Sequence, residues 1–295
     1  MKKILKYSKY AVITFIAIAG LYLINLFLMK PISIDHYLGK EIVMEMLDSP
    51  ETLTYLGILD PFNFITNHQS KLSDEGLEDL EEWLEEMKQA KKTLERYNDS
   101  KLSQQQSITK KIALYDLNNN IKQQEQFPFH SYPLNQIGGL HLNTIQFMTD
   151  IHPIRSNSEA AAYIDRLNML NEVFESKMEI LNAQKEAGIF PPEFVFDHVI
   201  RQLTEFLDSS KGSNPIRDVF QRKISEIDLS EKAQAELMND LDAAMQDSVK
   251  PGFKRLLGFM METLPMANPN DGVWSLPNGD EYYALRLKAQ TTTDY

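Results

Sequence analysis

Residues 158–186 read SEAAAYIDRLNMLNEVFESKMEILNAQKE, and this stretch decides the fold class. Tyr163, Leu167, Leu170, Phe174, Met178 and Leu181 recur at steps of three and four, the spacing that lines one face of an α-helix with apolar side chains. Ser156 followed by Glu159 forms a candidate capping box in front of it, each side chain satisfying a free backbone N–H. A coiled-coil seam is the alternative. The stretch covers only about four heptads and carries large aromatics at seam positions, so burial in a helical core is the better reading. Gly188 closes the helix.

The pattern extends both ways. Pro191-Pro192 suits the opening of a new helix, because the missing N–H of proline costs nothing in a first turn; Val195, Val199, Leu203 and Phe206 give its inner face. Residues 211–215 read as a loop. Ser230 starts another helix bearing Leu237, Leu241, Met245 and Val249, which Pro251 should kink or divide. Upstream, Leu77, Leu80, Leu84, Met87 and Leu94 keep helical spacing behind Ser73, a candidate N-cap. The opposite face carries Asp74, Glu75, Glu78, Asp79, Glu81, Glu82, Glu85 and Glu86; it reads as a solvated face ahead of a cation or basic-partner site. A further helix covers residues 104–125, with Ile108, Ile112, Tyr115 and Leu117 inward. No internal repeat or low-complexity linker interrupts what reads as one helical body.

The C-terminal end reads differently. Gly279-Asp280 signals a turn, and from Tyr283 the chain alternates, with Tyr283, Leu285, Leu287 and Ala289 on one side and Ala284, Arg286 and Lys288 on the other. Period two predicts a strand with one buried face. Thr291-Thr292-Thr293-Asp294 then resembles the approach to a helix N-cap.

Composition bounds the function. With 295 residues, 43% hydrophobic and 24% charged, the chain is neither disordered nor collagen-like. It has no cysteine, which excludes disulfide scaffolds, zinc ribbons and thiol nucleophiles. A net charge of -12 argues against a nucleic-acid partner. The charge is uneven: Lys2, Lys3, Lys6, Lys9 and Lys30 give the first thirty residues +5, leaving -17 for residues 31–295. Between those lysines runs YAVITFIAIAGLYLINLFLM, Tyr10–Met29, long enough as a helix to reach about 30 Å. It exceeds the apolar region of a cleaved signal peptide and lacks a small-residue cleavage site. The expectation is a transmembrane signal anchor in residues 1–30, with a lipid bilayer as partner of residues 10–29. Its lysine cluster and N-terminus would be cytoplasmic, and residues 31–295 would form a periplasmic or extracellular domain. The fold class expected is mainly α, an N-terminal transmembrane helix followed by a multi-helix domain with a little β near the C-terminus.

Residue chemistry gives no catalytic site. None of His36, His68, His130, His141, His152 and His198 lies four residues from another, so no helix face offers the paired imidazoles of a zincin. Asp150-Ile151-His152 reads as a loop before Pro153, and His198 as a surface position. Neither a Gly-x-Ser-x-Gly elbow nor a phosphate-cradling glycine loop is present. Gly138-Gly139 fits a turn or a close helix contact.

Several segments together resemble a bacterial family known as domain of unknown function 885. They are Ser49-Pro50-Glu51 with Leu56-Gly57; YPLNQIGGLHLNTIQFMTDIHPI from Tyr132 to Ile154; Ala162 to Leu167; Gly188-Ile189-Phe190-Pro191-Pro192; and GVWSLPNGDEYYALRLKAQTTTD from Gly272 to Asp294. The resemblance implies a largely helical, zincin-like metallopeptidase whose His-Glu-x-x-Pro-Gly-His motif follows further on. That motif is absent from this sequence, so no zinc ligand or catalytic residue carries over. Pro277, Gly279, Tyr282, Tyr283, Thr291, Thr292 and Thr293 match family positions without an assigned role. The expectation is the membrane-anchored N-terminal part of a metallopeptidase-like protein, truncated before its catalytic half and inactive alone. Zinc is expected only with that half, which a separate frame would encode. The alternative is a non-catalytic helical module that binds a partner or peptide.

Overall fold

The computed structural model describes residues 2–74, 76–208 and 213–293, without the side chains of residues 2–12 and of Ile16. Its helices in chain order are α1 (Lys2–Leu28), α2 (Ile34–Asp48), α3 (Pro50–Leu56) and α4 (Asn63–Thr66). Then come α5 (Leu77–Glu95), α6 (Gln104–Gln126), α7 (Leu140–Gln146), α8 (Asn157–Glu186) and α9 (Glu193–Leu207). The last four are α10 (Pro215–Ser225), α11 (Glu231–Ala244), α12 (Lys250–Thr263) and α13 (Gly279–Thr291). The chain divides into two compact units, residues 1–48 with 85–120, and residues 49–84 with 121–295.

In the first unit, Ile34, Tyr37, Leu94 and Tyr97 form a small core to which α6 adds Ala113, Leu114 and Leu117. The Tyr97 hydroxyl donates to Pro31 O at 2.7 Å. Buried Lys110 donates to Tyr97 O and to Asp99, both at 2.7 Å. This corrects part of the expected inner face of α6: Leu117 packs on the core as predicted, but Ile108 and Ile112 are exposed. The helix is turned so that Lys110 lies inward and runs its stem along the core, with both partners waiting for its ammonium.

The second unit is built around α8. Tyr163, Leu167, Leu170, Phe174 and Leu181 are buried as their spacing predicts, Met178 partly. Burying each such side chain contributes roughly 1.5–3 kcal/mol. Ser156 caps the helix by accepting from Glu159 N at 3.2 Å. The Glu159 carboxylate turns back one residue further than a capping box requires, onto Arg155 N. Against α8 pack α11, the turn after it and α12, with Leu237, Leu241, Met245 and Val249 in the core, and α9 packs on α12 and adds Val195, Val199 and Leu203 to the same core. The helix ahead of Pro251 is divided as expected: residues Met245–Val249 form a π-helical turn between α11 and α12. Pro251 falls in the first turn of α12, where its absent N–H is tolerated. Ser73 does not cap α5. Its N–H and hydroxyl both bond to Glu51, at 2.9 and 2.7 Å.

The expected C-terminal strand is a helix, and no strand occurs among the described residues; an isolated bridge joins Pro192 to Asn268. α13 buries Gly279 and Leu285 and half-buries Tyr282, a helical repeat. Its Ala, Leu, Arg, Lys and Gln are strong helix formers, and no neighbouring strand is there to pair with it. Thr292 ends the helix in the left-handed region, φ 57°, instead of leading into a new one; Asp294 lies outside the described residues.

The N-terminal expectation also changes. Lys2–Leu28 forms a helix, but among the described residues no helix is long and apolar enough to cross a membrane. Within Tyr10–Met29, the side chains of residues 10–12 and 16 lie outside the described ones. No described helix therefore supplies the membrane span that the sequence predicts. The expected single-pass topology, with a cytoplasmic N-terminus and the main domain periplasmic or extracellular, is therefore overturned.

Candidate functional site

In the second unit, the loop after α6, the turn between α8 and α9, and the segment from Asn268 into α13 surround an open cleft of about 340 Å³. Its walls carry His130, Tyr132, Asn268, Asn270, Asp271, Ser275 and Tyr282, with Pro192, Val273 and Leu276 as apolar surface. Asp271 is the single formally charged residue among them. All three walls are tied, either to α8 or to each other. Gln184 on α8 donates to the carbonyls of Phe129 and Ser131 at 2.7 and 2.6 Å, fixing the first loop. Asn268 N donates to Pro191 O, and Glu193 N to Asn268 O, joining the second wall to the third.

The third wall is braced from within. Asn268 Nδ2 donates to Ser275 Oγ, which donates to Gly272 O, each at 2.6 Å. A Cβ on Gly279 would collide with Val273 O, and one on Gly272 would collide with the Trp274 ring. Only Gly279 faces a backbone obstacle; at Gly272 the obstacle is the outer ring of Trp274, whose side chain is 71% exposed. His130 Nε2 lies 2.7 Å from Pro277 O. A carbonyl can only accept, so Nε2 carries the hydrogen; in the neutral ring Nδ1 then keeps a lone pair, which is buried and has no protein partner. The His130 ring packs on Tyr282 at 4.8 Å and on Phe127 at 5.1 Å. Burial pushes the Tyr132 hydroxyl up to about 12, so it is protonated; it donates to Phe190 O at 3.4 Å.

The model of the family described as "Bacterial protein of unknown function (DUF885)" matches residues 50–295, most of the chain. The chain belongs to this family. No curated protein matches it. Among solved structures, the chain is similar to the crystal structure described as "the putative lipoprotein from Colwellia psychrerythraea", at 17% identity and a TM-score of 0.71. The match covers 87% of this chain and 46% of that one, so this chain spans about half the length of that protein. At this identity the likeness shows the fold alone.

Three of the segments that carry the DUF885 resemblance meet at the cleft. Tyr132 opens one of them, Pro192 closes another, and Gly272, Val273, Ser275, Leu276 and Tyr282 belong to the last. The DUF885 positions divide accordingly. Pro277, Gly279 and Tyr282 bear on the cleft, through the His130 bond, the Val273 approach and the ring packing. Tyr283 is 56% exposed on α13 and does not line the cleft. Thr291 donates to Leu287 O within α13 and pairs with the Thr293 hydroxyl at 2.7 Å; with Thr292 these threonines finish the helix.

The residues present do not fit a catalytic zinc. Among the described residues no group of three His, Cys, Asp or Glu is placed to hold a metal. His36 and His198 are exposed on α2 and α9. His141 is buried with Gln202 Oε1 2.9 Å from its Nε2, and burial lowers its pKa. His68 meets the Thr66 hydroxyl and Asp60. His152 lies in the bend before Pro153, as its sequence context predicts, and is fully buried. Its ring nitrogens lie 3.0 Å from Gln69 O and 2.9 Å from Pro153 O, and burial together with Arg166 pushes it down to about 4.

Beside His152, a second polar centre pins the start of the unit to α8. Arg166, with no exposed surface, donates to Lys71 O, His68 O and the Thr54 hydroxyl at 2.6–2.7 Å and to Pro50 O at 3.2 Å. Burial lowers its pKa to about 10, which leaves it charged. Its role is structural, since every named partner is backbone or a helix-bound hydroxyl.

Proposed function

We propose that this chain forms the helical, non-catalytic half of a zinc-metallopeptidase-like protein and hydrolyses no peptide by itself. The observation that carries this reading is the convergence of three DUF885 segments on one cleft whose walls hold amides, hydroxyls and aromatic rings, with no donor set for a metal. The absence of a His-Glu-x-x-His sequence supports it, as does the match to 46% of a longer chain. In this reading a separately supplied second half brings the metal and its ligands, and this half contributes part of the substrate wall. Titration with zinc by calorimetry at neutral pH tests it. The chain alone is expected to show no stoichiometric site; a one-to-one site of micromolar affinity overturns it.

A second reading is a peptide-binding module without chemistry, and the same cleft favours it. Pockets of ~300–1,000 Å³ with apolar walls and a few fixed polar groups are the usual form of ligand sites. Here the polar groups are mostly amides and hydroxyls, suited to a peptide backbone.

A further inference from the structure

We infer that residues 55–65 of the second unit form the self-contact of a two-fold dimer, the partner being a second copy of this chain. The inference is independent of both functional readings and concerns a different surface.

The segment 52–67 is folded inside out. Every exposed residue in it except Asn67 is apolar, with Tyr55, Phe62 and Phe64 as the aromatic ones. Its polar side chains turn inward. The buried Thr54 hydroxyl donates to Pro50 O and accepts from Arg166. Asn63 Oδ1 accepts from Gln69 N at 3.0 Å, and the Thr66 hydroxyl lies 2.7 Å from His68 Nδ1. These bonds fix the segment with its apolar side chains outward.

The exposed area suits a protein interface. Tyr55, Phe62 and Phe64 are 70%, 51% and 82% exposed. At roughly 200 Å² each they leave about 400 Å² bare, the size of the largest patch on a typical monomer. Leu56, Ile58 and Ile65 are exposed too, extending the face towards the roughly 800 Å² that each partner gives a standard interface.

Charge selects the occupant. The chain carries -12, so two copies repel over most of their surface and meet most readily where charge is absent. Within 52–67 the single formal charge is Asp60. Its carboxylate is 13% exposed and is paired with Arg155. A two-fold interface must complement itself, and an uncharged apolar face does so. Its inward-turned polar groups leave little for a polar partner to bond. Arg155 also pairs with Glu159, which places this face at the first turn of α8. The cleft is braced from Gln184, roughly 37 Å further along that helix, so the two surfaces are separate.

The full chain has no cysteine, so I65C introduces a single thiol. A short bismaleimide should join two copies of I65C. It should join K232C, at a side chain 87% exposed on α11, at least about tenfold less, since only residues near the axis meet their own copies. F64D sets two carboxylates against each other across that axis. In sedimentation velocity it should weaken dimerisation about tenfold or more, with a urea midpoint matching the parent. F64A, which deletes the ring and adds no charge, should give a smaller loss in the same direction. A parent that stays monomeric at high micromolar concentration overturns the inference. So does association that F64D and F64A leave unchanged, or equal cross-linking of I65C and K232C. Loss of the I65C cross-link on adding neutral phosphatidylcholine vesicles also overturns it, by making a lipid surface the occupant.

Discussion

His130 Nε2 and the carbonyl oxygen of Pro277 lie 2.7 Å apart although 147 residues separate them in the chain. This bond joins the loop after α6 to the turn before α13, and Tyr282 packs over the same ring. H130A removes the donor and the ring contact together, leaving a carbonyl without its partner. We expect a loss of about 1–3 kcal/mol in urea unfolding; an unchanged midpoint would show that the two walls are held elsewhere.

The two glycines of the cleft should respond differently. At Gly279 the obstacle to a Cβ is the Val273 backbone carbonyl, whereas at Gly272 it is the outer ring of Trp274. Backbone cannot swing aside, but an exposed indole can. G279A should therefore cost about 1–3 kcal/mol, and G272A less than half as much, with its cost appearing as a changed tryptophan emission. Equal costs would contradict the assignment of the two obstacles.

Arg166 makes the third test. R166M keeps most of the side-chain volume and deletes the donors to Lys71 O, Pro50 O, His68 O and Thr54. Removing a buried charge recovers some desolvation cost, but the stranded carbonyls dominate, and a loss of about 2–4 kcal/mol is expected. Proteolysis should then begin at residues 50–72, the segment the guanidinium holds. A variant as stable as the parent would mean that this segment is anchored without it.

Stability should fall between pH 6.5 and 4. The folded-state pKa of His152 is depressed from 6.5 to about 4 by burial and by Arg166, so in this window the unfolded chain binds more protons than the folded one. Stability is then full above pH 6.5 and is lost as pH falls towards 4, by roughly 3 kcal/mol in all. His141, lowered by burial, acts in the same direction. Burial alone would raise Asp60 and Glu159, but bonds from Arg155 lower both, and their contribution is lost only at more acid pH. Urea midpoints at successive pH values check this, and H152Q should flatten the slope between pH 6.5 and 4.

Sequence periodicity settled α8, α9 and α11 because large apolar residues dominate their buried faces, even though α8 also buries Arg166 and Gln184. It misjudged α13, where Tyr283, Leu285, Leu287 and Ala289 alternate by accident; only Leu285 of these is buried. A helix predicts that L285A costs about 2–5 kcal/mol and L287A clearly less; a strand would make the two alike. The cleft was legible only in part. Pro277, Gly279 and Tyr282 stood out as family positions, but His130 did not, because its partner is a backbone carbonyl 147 residues along the chain. The spacing of Gly272 and Gly279 around Trp274 was the one local signal of a constrained turn. Arg166 and His152 were missed because burial of a polar side chain by carbonyls leaves no pattern in the residue types.

The central claim is that this chain builds a peptide-lined wall and does no chemistry by itself. The most direct measurement is hydrolysis of a mixed peptide library by the purified chain with added zinc, with and without a chelator, read by mass spectrometry. The account predicts no cleavage above an enzyme-free blank in either condition. Cleavage that zinc supports and the chelator abolishes would contradict it.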